Sequence, residues 1–147
     1  MRTVLAAAFA LAACGCATMK PRVLDAGGLP QLGPYSQAVA ANGLVFFSGI
    51  IAFDPATKTF APADIDAQTH QVFKNLMTVL RANAMSLPDV VKTTVFLKDA
   101  ADMKRMNAVY SNYFPVDPPA RTAVPGADWG RPDILIEIDA IAVQRRP

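Results

Sequence analysis

Arg121 enters one short strand-like run and Glu137 lies inside another, and these are the side chains of this 147-residue chain best suited to joint chemistry. Arg121 follows Pro118-Pro119-Ala120. Proline fixes φ and keeps the preceding residue extended, so the approach to Arg121 has few conformations. A planar guanidinium held in this way suits bidentate capture of a small carboxylate. As an ordinary strand-end arginine it would point into water. Glu137 belongs to Ile136-Glu137-Ile138-Asp139-Ala140-Ile141-Ala142, where a period of two places Glu137 and Asp139 on one face with Leu135 and Ile141. An unpaired buried carboxylate is costly. Either this face lies at an edge or in a wet cavity, or Glu137 shares a pocket with Arg121 as general base or water-orienting group. An arginine nearby would keep it ionised and burial would oppose that. Tyr35 follows Gly33-Pro34 and is either a core or rim aromatic or a phenol able to donate to a substrate oxygen.

Other chemistries find little support. The chain has one histidine and two cysteines, and both cysteines, Cys14 and Cys16, lie near the N-terminus, leaving no zinc cluster and no disulfide within the domain. A formal charge of +2 without a basic run gives no electrostatic case for nucleic acid. The length suits one domain with a real core. Apolar residues make up 52% of the chain, and part of that excess sits in the first nineteen residues.

Those residues read as a leader. Arg2 supplies a positive charge ahead of the apolar run from Val4 to Ala13, too short to span a bilayer, which takes about 20 residues. Leu11-Ala12-Ala13-Cys14 resembles the lipobox of bacterial lipoproteins, which implies cleavage before Cys14 and acylation of its thiol. An ordinary cleaved signal is the alternative. Gly15 after the cysteine, rather than aspartate, favours sorting to the outer membrane. The expected division is a lipoprotein signal over 1–13, a tether over 14–28 and a domain over 29–147.

The elements that must position Arg121 and Glu137 follow from patterning. Asn42-Gly43 between Tyr35–Ala41 and Leu44–Ser48 predicts a hairpin with a type I′ turn. Leu44-Val45-Phe46-Phe47 is apolar on both faces, as in a strand covered on each side, and Gly49 ends it where backbone needs a close approach. Val72, Phe73, Leu76, Val79 and Leu80 predict a helix from Asp64 or Asp66 to about Ala84, with Gln71, Lys74, Asn75 and Thr78 outward. His70, alone on this helix, is expected in solvent without a role. Val91–Leu97 reads as a strand and Ala101–Phe114 as a second helix, with Asn107 near the edge of its apolar stripe. Strands over Arg121–Val124 and Ile134–Val143 complete the order β-β-α-β-α-β-β, an α+β fold with both helices on one face of a mixed sheet.

Six blocks carry a family resemblance: Gly33-Pro34-Tyr35-Ser36-Gln37-Ala38, Asn42-Gly43 with Phe47-Ser48-Gly49, Val91 to Leu97, Met106 to Tyr110, Pro119-Ala120-Arg121, and Ile136 to Ala142. Together, in this order, they resemble the RidA/YjgF family of reactive-intermediate deaminases. The resemblance implies a chorismate-mutase-like fold, a homotrimer with a site in each interface cleft, and no metal or organic cofactor. It also implies hydrolysis of small imino or enamino acids to a 2-oxoacid and ammonia. By position, Arg121 would bind the substrate carboxylate, Glu137 would orient or activate water, and Tyr35 would line the pocket across the subunit boundary. Asn107 would add a polar contact and the backbone at Gly49 would approach the ligand.

The chain departs from the family pattern in places. Thr122-Ala123 replaces the frequent Ser-Cys, so a thiol there is excluded; Gly49-Ile50-Ile51-Ala52 replaces Gly-Gln-Ile-Pro, making the rim more apolar. The loop Gly126-Ala127-Asp128-Trp129-Gly130-Arg131 also differs, with a tryptophan placed to cover or narrow the cleft. The leader implies a lipid-anchored protein on the periplasmic side of the envelope. Three functions follow in order: an imine deaminase, a trimer that binds a small carboxylate or a protein partner, and, last, a ribonuclease.

Overall fold

A computed structural model of the chain describes residues 20–144. In chain order its elements are β1 (Arg22–Val23), β2 (Ala38–Ala41), β3 (Leu44–Ile51), β4 (Phe53–Asp54), β5 (Thr59–Phe60), α1 (Ile65–Ala82), β6 (Val90–Leu97), α2 (Met103–Tyr110), β7 (Ala120–Pro125) and β8 (Ile136–Val143). The hairpin turn forms at Asn42-Gly43, with φ of 50° and 80°. Both values lie in the left-handed region that a type I′ turn requires. The main sheet runs β1-β2-β3-β8-β6-β7, antiparallel throughout except for the parallel pair β6–β7. Proline at 125 ends the edge strand β7, where a missing N–H breaks no ladder bond to a further strand.

The alternation along β8 sorts the sheet into two faces. Ile136, Ile138, Ala140 and Ala142 are buried on the side of the helices, and Glu137, Asp139 and Ile141 are half-buried on the other. Val72, Phe73, Leu76, Val79 and Leu80 of α1 meet the first set, joined by Met106 and Tyr110 of α2. Helix α1 starts where the Asp64 side chain accepts from the backbone N–H groups of Asp66 and Ala67.

Several expectations change in detail. The segment expected as tether contributes β1, which pairs with Ala40 and Val39, and Leu24 packs into the core. Tyr35 precedes its strand, which begins at Ala38. The second helix is shorter than Ala101–Phe114, because one 3-10 turn over Ala100–Asp102 leads into it and turns follow Tyr110. A small hairpin, β4–β5, follows β3. Asn75, expected outward, is buried: its Nδ2 donates to the carbonyls of Ile51 (3.0 Å) and Phe53 (2.7 Å). The helix amide thus ties the last residue of β3 and the first residue of β4 to α1.

The faces of β3 also differ from expectation. Val45 and Phe47 are buried, but Phe46 is 44% exposed on the face away from the helices. Val39, Phe46 and Ile141 lie side by side there across three strands.

Candidate functional site

The register of β3 against β8 breaks between Phe47, opposite Ala140, and Ile50, opposite Ile138. Ser48 and Gly49 therefore face the single residue Asp139, which is a β-bulge. The bulge turns Gly49 toward the open face, and a Cβ built at Gly49 would overlap the Glu137 carboxylate at Oε1. Only glycine leaves room for that carboxylate over the strand. Ser48 is tied back through Oγ to the Ser36 carbonyl (2.7 Å), which links the bulge to the segment following Tyr35.

Glu137 accepts a hydrogen bond at Oε2 from the indole Nε1 of Trp129 (2.8 Å). Burial raises its carboxyl above the ordinary glutamate range, the Trp129 N–H opposes that rise, and Asp139 on the same face adds to it. Asp139 itself accepts from the backbone N–H of Thr94 (2.9 Å). The result is a partly desolvated carboxylate with one oxygen fixed, a suitable partner for water.

Arg121 belongs to a second, separate group. It is opposite Thr93 in the parallel β6–β7 pair, and paired residues point to the same face, so Arg121 lies on the side of the helices. Its guanidinium sits over the Tyr110 ring, 4.7 Å from the centroid. The Tyr110 hydroxyl and Thr93 Oγ1 share a hydrogen bond of 2.8 Å, which holds that ring in place. Burial raises the Tyr110 phenol above its usual value, with Thr93 and the Arg121 charge opposing. Among the described residues no carboxylate forms an ion pair with Arg121, so its donors are open to an incoming anion. Asn107 lies three residues before Tyr110 on α2, and its Oδ1 is buried without a hydrogen-bond partner among the described residues.

Arg121 and Glu137 do not meet within one chain. Across two strand spacings and three residues of register they are roughly 14 Å apart, on opposite faces of the sheet. The shared pocket offered by the strand pattern is absent from the single chain. Tyr35 lines a small open cleft with Gly49, Ile50 and Ile51, and Glu137 is not among the residues that line it. Its backbone is held by bonds from Tyr35 N to the Gly33 carbonyl (2.9 Å) and from Gln31 Nε2 to the Tyr35 carbonyl (2.8 Å). The structure thus brings Gly49 and Glu137 together in one half and Arg121 and Asn107 in the other, with Tyr35 in the cleft beside Gly49.

The sequence reading expected Trp129 to cover or narrow the cleft but missed its hydrogen bond to Glu137, and it missed Tyr110 and Thr93 beside Arg121. A lone tryptophan eight residues before Glu137 was the available signal for the first. The other two needed the sheet register. His70 is exposed as expected, with Nδ1 hydrogen-bonded to the Tyr113 hydroxyl at 2.8 Å. Among the described residues no group of three or more His, Cys, Asp or Glu side chains could hold a metal ion. Cys14 lies outside the described residues.

A helix-backed mixed sheet with a glycine bulge under one carboxylate and an arginine at its far edge defines a recognisable class of small α+β proteins. The family model described as Endoribonuclease L-PSP matches residues 28–144, and the chain belongs to this family, the RidA/YjgF family. It is 42% identical over 135 residues to Reactive Intermediate Deaminase A, chloroplastic, of Arabidopsis thaliana, covering 91% of this chain and 72% of that protein. A RutC family protein of Pyrococcus horikoshii is 44% identical over 124 residues, 84% of this chain and 98% of that one. The crystal structure of the YjgF gene product of E. coli superposes with a TM-score of 0.76 at 36% identity, covering 84% of this chain and 99% of the other. E. coli TdcF with bound serine superposes with a TM-score of 0.76 at 32% identity, with the same coverage.

Proposed function

We propose that the protein is a hydrolytic deaminase of small 2-imino and 2-enamino acids, of the 2-aminoacrylate and 2-iminopropanoate type. In this reading it works as a homotrimer in which the Arg121 half of one subunit closes on the Glu137 half of the next. One observation carries the reading: the two halves are chemically complementary yet lie on opposite faces of one chain, so only a second copy can join them. The apolar ladder Val39–Phe46–Ile141, half-buried at its ends and exposed at Phe46, supports burial of the open face in such an assembly. The buried, unpartnered Oδ1 of Asn107 supports a polar group arriving beside Arg121.

The chemistry requires few groups. Arg121 takes the substrate carboxylate in a bidentate grip, and the Gly49 backbone lets the planar imine approach β3. Water attacks the carbon of the protonated imine: the new C–O bond forms as the C=N π pair moves to nitrogen, and one proton of the water passes to Glu137. That proton is then given to the carbinolamine nitrogen, the C–N bond breaks as the hydroxyl oxygen forms the carbonyl and its proton passes to Glu137, and ammonia leaves a 2-oxoacid behind. Tyr35 bounds the cleft and Asn107 adds a polar contact. None of these steps calls for a metal or an organic cofactor.

For location, we propose a lipid anchor at Cys14 on the periplasmic side of the envelope, with the outer membrane favoured by Gly15. The short chain between Cys14 and β1 reaches at most roughly 28 Å, so the trimer would stay close to the membrane. Palmitate labelling should be lost in Cys14→Ser; labelling that survives would reject the anchor.

The test of function is release of pyruvate or ammonia when the purified protein meets freshly generated 2-aminoacrylate. Acceleration over buffer is expected; an intact trimer without acceleration would leave carboxylate binding as the surviving reading. Arg121→Ala should lower kcat/KM about 10- to 100-fold, the range set by charged hydrogen bonds. Unchanged kcat/KM would show that the site lies elsewhere.

A further inference from the structure

Trp129 is the single tryptophan of the chain, and the deaminase reading gives it no part. It lies in the connection between β7 and β8, with its indole N–H on Glu137 Oε2. That connection is fastened along its length. Ala127 N donates to the Leu97 carbonyl (3.0 Å), and Lys98 Nζ donates to the Arg131 carbonyl (3.1 Å). The buried Gln68 side chain donates to the Asp133 carbonyl (2.7 Å) and accepts from Leu135 N (2.9 Å). The indole is therefore presented from a braced segment, and the carboxylate it holds has its other oxygen, Oε1, over Gly49.

We infer that Trp129 is a positioning residue for Glu137: its N–H holds Oε2 so that Oε1, over the β3 bulge, is the oxygen that meets the attacking water. The catalytic consequence rests on the deaminase reading; the coupling of indole to carboxylate does not. An indole N–H is a donor only, so it favours the ionised carboxylate over the acid. Burial and Asp139 both push Glu137 toward the neutral form, and Trp129 acts against them. The charged groups facing this side of the sheet are Asp139 on β8 and Lys92 at the far end of β6, whose Nζ is bonded to Thr122 Oγ1 and the Thr93 carbonyl. Asp128 in the loop accepts from Gly130 N, and β3 carries no charge. Trp129 is thus the group in direct hydrogen-bond contact that keeps Glu137 a base.

The experiment uses the full chain as assembled, with Trp129→Phe and Glu137→Gln. Loss of the N–H should move the acid limb of kcat/KM for 2-iminopropanoate hydrolysis up by about one pH unit. Activity on that limb should fall about tenfold and recover at higher pH, which a purely structural defect would not do. Because the chain has one tryptophan, its emission should titrate with the same midpoint in the unsubstituted protein and lose that transition in Glu137→Gln. A Trp129→Phe profile that superposes on the parent, or an emission transition that persists in Glu137→Gln, overturns the proposal. If the unsubstituted protein accelerates nothing, the deaminase reading falls. The emission titration still decides the pairing: a Glu137-dependent transition supports it and its absence overturns it.

Discussion

Gly49 carries no side chain because the Glu137 carboxylate occupies the space where one would stand. The atoms in the way are the far end of a flexible side chain, so Gly49→Ala should fold and assemble normally while displacing Glu137 from Trp129. Near-parent thermal stability with at least a tenfold loss of kcat/KM is expected, checked by melting and the imine assay. Glu137 offers a second prediction, with a definite sign. Its folded-state pKa is raised by burial, so its contribution to stability is greatest at low pH and is lost as pH rises through that pKa. Glu137→Gln removes the ionisation and should melt above the parent at pH 7, with the gap closing toward pH 4. Such a gain on losing a functional group is the trade expected of a strained site. The identities of Arg121 and Glu137 were legible because prolines before one and apolar neighbours around the other marked them. Their relation was not, because a pattern along one strand says nothing of the face on which a distant strand presents its side chains.

At the scale of elements, two buried amides on α1 govern the ends of the site strands. Asn75 takes the carbonyls of Ile51, the last residue of β3, and Phe53, the first of β4, and Gln68 takes both backbone groups that lead into β8. Gln68→Ala would leave Leu135 N and the Asp133 carbonyl unsatisfied in the interior, at a cost of about 1–3 kcal/mol. A urea melt with an unchanged slope would measure it. The hairpin, both helices and the chain order of the main elements were readable from Asn42-Gly43, from the spacing of Val72, Phe73, Leu76 and Val79, and from alternation in β6 and β8. Asn75 was misread because polarity stands in for exposure until the carbonyls that accept from it are known. The bulge at Ser48-Gly49 was invisible for a similar reason: it exists only as a mismatch between two strands. Strand β1 has only two residues and pairs with β2 across a long connection, too short a run to show a period.

At the scale of the molecule, the open face of the sheet and the split site call for the same remedy, a second copy of the chain. Phe46→Glu would set a charge in the middle of the apolar ladder between Val39 and Ile141 and should give monomers by sedimentation, with deaminase activity lost. The most direct measurement of the central claim uses two impaired variants. Arg121→Ala and Glu137→Gln damage opposite halves, so trimers of either alone should keep at most about a tenth of the parent activity. When the two are co-expressed and mix at random, about one interface in four pairs an intact Arg121 half with an intact Glu137 half. Activity should therefore return to about a quarter of the parent level. Mixed trimers no more active than the separate variants would contradict a site shared between subunits.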